Sequence, residues 1–213
     1  MKSGFISIIG RPNVGKSTLL NGILGEKIAI ATSKPQTTRN TIRGIYTTGD
    51  CQMVFIDTPG IHKPKTKLGN FMTDSALNTF KEVDLVLFLV DDSLSQGPGD
   101  KYIVEMLKNI NTPKFLVINK MDKINPEDYE KIYNEYEQTG IFDEIFPVSA
   151  LEQKNIDILL ESIEKFMPEG PQYFPSDMIT DHPERFIVSE ILREKVLMFL
   201  EDEVPHGVAI EIE

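Results

Sequence analysis

The chain has 213 residues, 40% of them hydrophobic, one cysteine and a formal net charge of −11. That length fits one full domain plus part of another, and no long uncharged apolar run offers a membrane span or a secretory signal. Cys51 has no partner for a disulfide or at zinc spacing, so a reducing cytoplasm is expected, and three basic residues against ten acids from Asp177 onward exclude a polybasic nucleic-acid footprint there.

The first predicted strand, Phe5 to Ile9, runs into Gly10-Arg11-Pro12-Asn13-Val14-Gly15-Lys16-Ser17. The spacing G-x-x-x-x-G-K-S is that of a phosphate-binding loop. Its glycines let backbone N–H groups wrap a polyphosphate, Lys16 reaches the terminal phosphates, and Ser17 offers a hydroxyl to Mg²⁺ at a helix N-terminus. Asn13, Val14, Gly15, Lys16, Ser17 and Thr18 are the expected nucleotide contacts of this loop. Such a pattern also occurs in unrelated Gly-rich turns, but here a strand precedes it and a helical run, Leu19, Leu20, Ile23 and Leu24, follows.

Next comes a polar loop, Ser33 to Arg39, in which a threonine is expected to reach Mg²⁺ and a γ-phosphate. Thr38 is chosen over Thr37, for which an ordinary loop hydroxyl suffices. Ile42 to Thr48 reads as an antiparallel edge strand, and Cys51 as a strand-edge residue. The apolar run Met53 to Ile56 ends in Asp57-Thr58-Pro59-Gly60, which delivers a carboxylate for the Mg²⁺ shell at a strand end. Gly60 there permits a peptide to move when a γ-phosphate leaves. In isolation D-T-P-G would be simply a turn. The water-orienting glutamine expected after Gly60 is replaced by Ile61, which cannot hydrogen-bond water, so turnover at or below about 10⁻² s⁻¹ is expected. His62 sits among Lys63, Pro64 and Lys65 and reads as an exposed loop residue in preference to a general base.

Helices are predicted near Phe71 to Phe80, from Asp100 to Asn109, from Pro126 to Gln138 and from Ile156 to Phe166, with Asn125-Pro126 and Asn155 as start signals. Between them lie the apolar runs Leu85 to Val90, Phe115 to Ile118 and Ile145 to Phe146. These runs lack two-fold alternation, as strands covered on both faces do, and the chain reads as a doubly wound, mostly parallel six-stranded α/β sheet of the P-loop type. Asn119-Lys120-Met121-Asp122 is the N-K-x-D pattern of guanine recognition. Asp122 can accept N1–H and the exocyclic amine of guanine, a pair adenine lacks, and sites built on such bonds discriminate by about 10⁴ to 10⁵. In Val148-Ser149-Ala150-Leu151, a backbone N–H at Ala150 is expected to donate to guanine O6, with Ser149 beside it.

A Pro- and Gly-containing bridge, Met167 to Pro175, closes this domain. Phe186 to Leu200 shows an amphipathic stripe of Val188, Leu192, Val196, Phe199 and Leu200, and Gly207 to Ile212 alternates as a short strand. One helix and one strand cannot close a core, so an incomplete α+β fragment is expected, either disordered or borrowing contacts from the preceding domain or from a symmetry mate. The expected division is 1–170, a linker at 171–183, and 184–213.

The ordered set GRPNVGKS, QTTR, DTPG, NKMD and VSAL resembles the translation-factor-related bacterial GTPases, and the variant QTTR is similar in particular to the Era family. Pro183 to Lys195 also resembles the Era linker and the first helix of its C-terminal K-homology RNA-binding domain. The resemblance implies GTP and GDP as ligands with Mg²⁺, and catalytic contributions from Lys16, Thr38 and Gly60. It implies metal contacts from Ser17, Thr38 and Asp57, and base contacts from Asn119, Lys120, Asp122, Ser149 and Ala150. It further implies slow hydrolysis and a role in small ribosomal subunit maturation, with 16S rRNA as partner through the C-terminal domain. In related potassium-responsive GTPases an asparagine matching Asn13 helps hold K⁺, against the plainer reading of a loop asparagine bonding its own backbone. Peripheral membrane association is known in the family, and no residue here supports it.

Two other classes compete. The G domain of a ferrous iron transporter shares the asparagine-containing phosphate loop, but no apolar membrane run follows the last predicted helix. A small-molecule phosphotransferase would have no use for N-K-x-D.

Overall fold

A computed structural model describes residues 1–31, 41–60, 82–199, 210 and 212. The expected helix near Phe71 to Phe80 lies outside the described residues, as does the expected strand from Gly207 apart from Ile210 and Ile212. Six strands form one sheet: β1 (Lys2–Gly10), β2 (Ile42–Thr48), β3 (Cys51–Asp57), β4 (Leu85–Val90), β5 (Lys114–Ile118) and β6 (Glu144–Pro147). Their order is β2-β3-β1-β4-β5-β6. Only β2 runs antiparallel to its neighbour, as expected of Ile42 to Thr48.

The missing alternation has a direct cause. All six residues of β4 and all five of β5 are buried, because helices cover both faces of the sheet. Helices α1 (Lys16–Leu24) and α4 (Ile156–Phe166) lay Leu19, Leu20, Ile23, Leu159 and Ile163 against Ile6, Ile8, Phe55, Leu87 and Phe115 on one face. On the other face α2 (Pro98–Leu107) and α3 (Pro126–Glu137) bring Ile103, Val104, Leu107, Ile132 and Tyr136 against Ile9, Phe88 and Leu116. Each fully buried side chain of this size contributes about 1.5 to 3 kcal/mol.

Several expectations shift in detail. Helix α2 starts at Pro98, two residues before the expected Asp100, because the Asp100 carboxylate turns back to accept the Gly97 N–H at 3.2 Å and caps the first turn. Asn125 caps α3 as its sequence signal predicts, accepting Asp128 N–H at 2.9 Å. Asn155 precedes α4 in a left-handed conformation (φ 61°), with its side chain donating to Pro147 O at 2.8 Å and making no cap. Cys51 is no edge residue: it is fully buried between β2 and β1 in the core, and burial raises its thiol pKa.

The last helix, α5 (Glu184–Phe199), corrects the expected stripe. Val188, Leu192, Val196 and Phe199 are exposed, whereas Glu190, Arg193, Glu194 and Leu197 are buried. The helix therefore docks by a mixed face, on which Phe186 and Ile187 also pack against the core. Glu190 and Arg193 pair through two contacts of 2.9 and 2.6 Å, and Glu194 is salt-bridged to Lys27 and accepts Ala31 N–H at 3.1 Å. The stretch before α5 is tied to the sheet as well. Fully buried Gln52 binds the backbone of Tyr173 and Phe174, Ile45 donates to Ile179 O, and Arg43 pairs with Asp181 at 2.7 Å.

Candidate functional site

Parallel pairing puts the C-terminal ends of β1, β3, β4, β5 and β6 side by side, with Ile8 opposite Asp57, Gly10 opposite Leu89, and Ile118 opposite both Val90 and Pro147. Every motif read from the sequence that falls among the described residues leaves the sheet at this rim. Between them opens a cavity of about 250 Å³ lined by Pro12, Asn13, Gly15, Lys16, Ser17, Thr18, Ile30, Ala31, Gly60, Asn119, Lys120, Asp122, Lys123, Ala150 and Leu151. Thr38, Thr37, Ile61, His62 and Lys63 lie outside the described residues.

The phosphate loop has the shape its residues dictate. Asn13 takes φ 66° and Gly15 φ 102°, and both line the cavity. A Cβ on Gly15 would lie 2.2 Å from Asn119 Nδ2, so both backbone angle and close approach demand glycine there. Lys16, 6% exposed, donates to the carbonyls of Gly10 at 3.3 Å and Arg11 at 3.0 Å, and burial lowers its pKa against the opposing pull of Asp57. The turn after β3 is pinned by Thr58 Oγ1 donating to Ile8 O at 2.9 Å. Gly60 approaches the loop so closely that a Cβ would stand 2.7 Å from Pro12 N.

Asp57 is completely buried. Ser17 Oγ donates to its Oδ2 at 2.7 Å, while Oδ1 has no hydrogen-bond partner. Burial pushes the carboxyl pKa up to about 6, with Lys16 and Ser17 opposing. A buried carboxylate oxygen with an adjacent hydroxyl and too little nearby positive charge is a donor set suited to a hard divalent cation such as Mg²⁺. Among the described residues no cluster of three His, Cys, Asp or Glu offers a self-contained metal cage. That agrees with Mg²⁺ practice, in which few protein ligands share the ion with phosphates and water.

At the other end of the cavity Asn119 acts as a staple. Its Nδ2 donates to Val14 O at 2.8 Å and its Oδ1 accepts Ala150 N–H at 2.9 Å, joining the phosphate loop to the segment after β6. The Ala150 N–H expected to serve guanine O6 is thus already engaged, and a base would share it. Ser149 Oγ donates to Asp122 Oδ1 at 2.6 Å, a bond that lowers the pKa of this exposed carboxyl and orients it. Ser149 thereby acts through Asp122. Lys120 holds φ 63° and reaches Asp91 at 3.3 Å and Asp92 at 3.6 Å.

An ionic network absent from the sequence reading lies behind the loop. Arg11 Nε donates to Asp100 Oδ1 at 2.7 Å, and its Nη2 to Asp91 Oδ1 at 2.9 Å and Ser93 Oγ at 3.3 Å. Burial pulls Asp91 upward, but Ser93, Arg11 and Lys120 outweigh it and leave the carboxyl below its ordinary pKa. The signal was available: Asp91 directly follows β4, where the other strands deliver Asp57 and Asn119. Leu151, exposed at the cavity mouth, was also in view as the last letter of VSAL.

Residues 5–120 match the family model described as 50S ribosome-binding GTPase. GTPase Era of Alkaliphilus metalliredigens (strain QYMF) is 61% identical over 210 residues, which are 99% of this chain and 71% of that protein. The fold superposes on a crystal structure of Era in complex with MgGDPNP and nucleotides 1506–1542 of 16S ribosomal RNA with a TM-score of 0.88, at 42% identity, covering 97% of this chain and 70% of that one. An Aquifex aeolicus Era variant bound to GDP.AlF4- gives a TM-score of 0.87 at 42% identity, covering 96% and 70%.

Proposed function

This chain belongs to the Era family of GTPases, and from that premise we propose that its GTP cycle serves maturation of the small ribosomal subunit through contact with 16S ribosomal RNA. The protein hydrolyses GTP to GDP and phosphate. The observation that carries the RNA reading is the breadth of the likeness. An Era solved with both a GTP analogue and the 3′ part of 16S rRNA matches 97% of this chain, including residues beyond the GTPase fold. The division into a GTP-binding domain at 1–170, a linker at 171–183 and the start of an RNA-binding domain at 184–213 belongs to the same proposal. So does a cytoplasmic location, with which the absence of any membrane-length apolar helix among the described residues is compatible.

In this reading the loop amides of Asn13 to Thr18 cradle the phosphates, and Lys16 transfers its donors from the Gly10 and Arg11 carbonyls to the β- and γ-phosphate oxygens. Ser17 and Asp57, with Thr38, would hold Mg²⁺. Mg²⁺ held there would supply positive charge to offset the negative charge that develops on phosphoryl transfer. Asp122 accepts N1–H and the amine of guanine, oriented by Ser149, while Asn119 keeps base and phosphate subsites in register. Gly60, held against Pro12, offers its N–H to the γ-phosphate. Loss of that phosphate would release the Gly60 turn, which is the conformational output. Ile61 keeps hydrolysis slow.

A K⁺ contact at Asn13, which lines the phosphate end of the cavity, belongs to the same proposal. Equal hydrolysis rates in NaCl and KCl would remove that contact from the scheme. The function itself is tested by comparing GTP- and GDP-bound protein for binding to RNA carrying the 3′ end of 16S rRNA.

A further inference from the structure

We infer that Arg11 is a positioning residue that couples the phosphate and base subsites, through a charge relay running Asp100–Arg11–Asp91–Lys120. The inference rests on the guanine-nucleotide reading of the cavity and adds residues outside its contact set.

Arg11 belongs to the phosphate loop, and its own carbonyl accepts from Lys16. Its guanidinium is fixed at two points from two elements: Asp100 in the first turn of α2 at 2.7 Å, and Asp91 at the end of β4 at 2.9 Å. Asp100 is only 1% exposed. A planar fork can hold two carboxylates at once, which the single charged head of a lysine cannot do in the same geometry. Gly99 seals the arrangement: a Cβ there would come within 2.9 Å of Arg11 Cδ.

Asp91 is the joint. One oxygen accepts from Arg11, the other from Lys120 at 3.3 Å. A cation of the phosphate loop and a cation of the N-K-x-D segment therefore share one carboxylate. Any shift of Arg11 changes the charge that Asp91 presents to Lys120, and the reverse holds equally. Phosphates settling on the loop and a base settling beside Lys120 then act on the same joint, and linkage makes the effect mutual.

The test is a double-mutant cycle on the GDP dissociation constant with Arg11→Gln, Lys120→Gln and the pair. Each single change is expected to weaken GDP by about 10-fold. The pair is expected to fall short of the product of the singles by about threefold or more, as groups within one ionic network do. A shortfall below about threefold overturns the relay, since independent sites multiply. The same cycle on an Asp91→Asn background is expected to lose the coupling; persistence there also overturns it. Should Arg11→Gln fail to fold around the buried Asp100, Arg11→Lys takes its place, keeping the charge while releasing one carboxylate. A general structural weakness would not depend on Lys120, whose side chain is partly exposed. Wild-type protein that bound no GDP would defeat the nucleotide reading itself, whereas bound GDP with multiplicative effects defeats the relay alone.

Discussion

Replacing Asn119 with alanine should damage stability before it damages recognition. The side chain is 3% exposed and satisfies two backbone groups, accepting Ala150 N–H at 2.9 Å and donating to Val14 O at 2.8 Å. Each buried polar group left unpaired costs about 1 to 3 kcal/mol. Losing both bonds therefore amounts to roughly 2 to 6 kcal/mol, with the lower half favoured because the adjoining cavity can admit water to one of the two. Against a total stability of about 5 to 15 kcal/mol this is a large fraction. Urea unfolding of nucleotide-free protein, followed by far-UV circular dichroism at fixed slope, reads the loss as a lowered midpoint. A change smaller than about 1 kcal/mol would refute the staple and return Asn119 to the role of a base contact alone.

Other substitutions separate the remaining parts. Without Mg²⁺ or nucleotide, Asp57 has a folded pKa of about 6, above its unfolded value of about 3.9. The folded state then holds the proton more tightly, so the associated stability is full below about pH 4 and is lost as pH rises through about 6. Asp57→Asn should thus gain about 1 to 3 kcal/mol at pH 7, part of the gain being returned by Lys16, and should flatten the dependence between pH 4 and 6. An unchanged pH profile in denaturant titrations would contradict the shift. Asp122→Asn should exchange the base preference, lowering the GTP to xanthosine triphosphate ratio by about 10⁴ in competition binding; a retained preference for GTP would exclude Asp122 as the reader of N1–H and the amine. Glu194→Ala should cost about 1 to 3 kcal/mol by stranding Ala31 N–H, and increased hydrogen exchange along α5 would accompany it. Unchanged protection there would mean that the Glu194 contacts are not what holds the helix in place.

The motif spacings carried most of the site because backbone geometry and chemistry coincide at strand ends. Gly15, Lys16, Ser17, Asp57, Asn119 and Asp122 could be placed from order alone, since parallel strands bring their C-terminal ends to one rim. What spacing could not carry was pairing between distant side chains. Asn119 was read as a ligand contact, yet its two bonds go to Val14 and Ala150, 105 and 31 residues away. Arg11 looked like one of the variable letters of the loop motif, and its partners Asp91 and Asp100 are fixed only by the packing of β4 and α2. The α5 stripe misled for the opposite reason. Amphipathic spacing reports which residues are apolar, whereas the contacts α5 makes with the rest of the fold come from Glu194 to Lys27 and Ala31 and from Phe186 and Ile187 against the core, while the stripe stays exposed.

The most direct measurement is equilibrium binding of the protein, in GTP-analogue and GDP forms, to RNA carrying the 3′ end of 16S rRNA. The account predicts tighter binding by about tenfold or more in the GTP-analogue form, within the usual range of coupling between linked sites. Equal affinity in both forms would contradict the link between the nucleotide cycle and RNA.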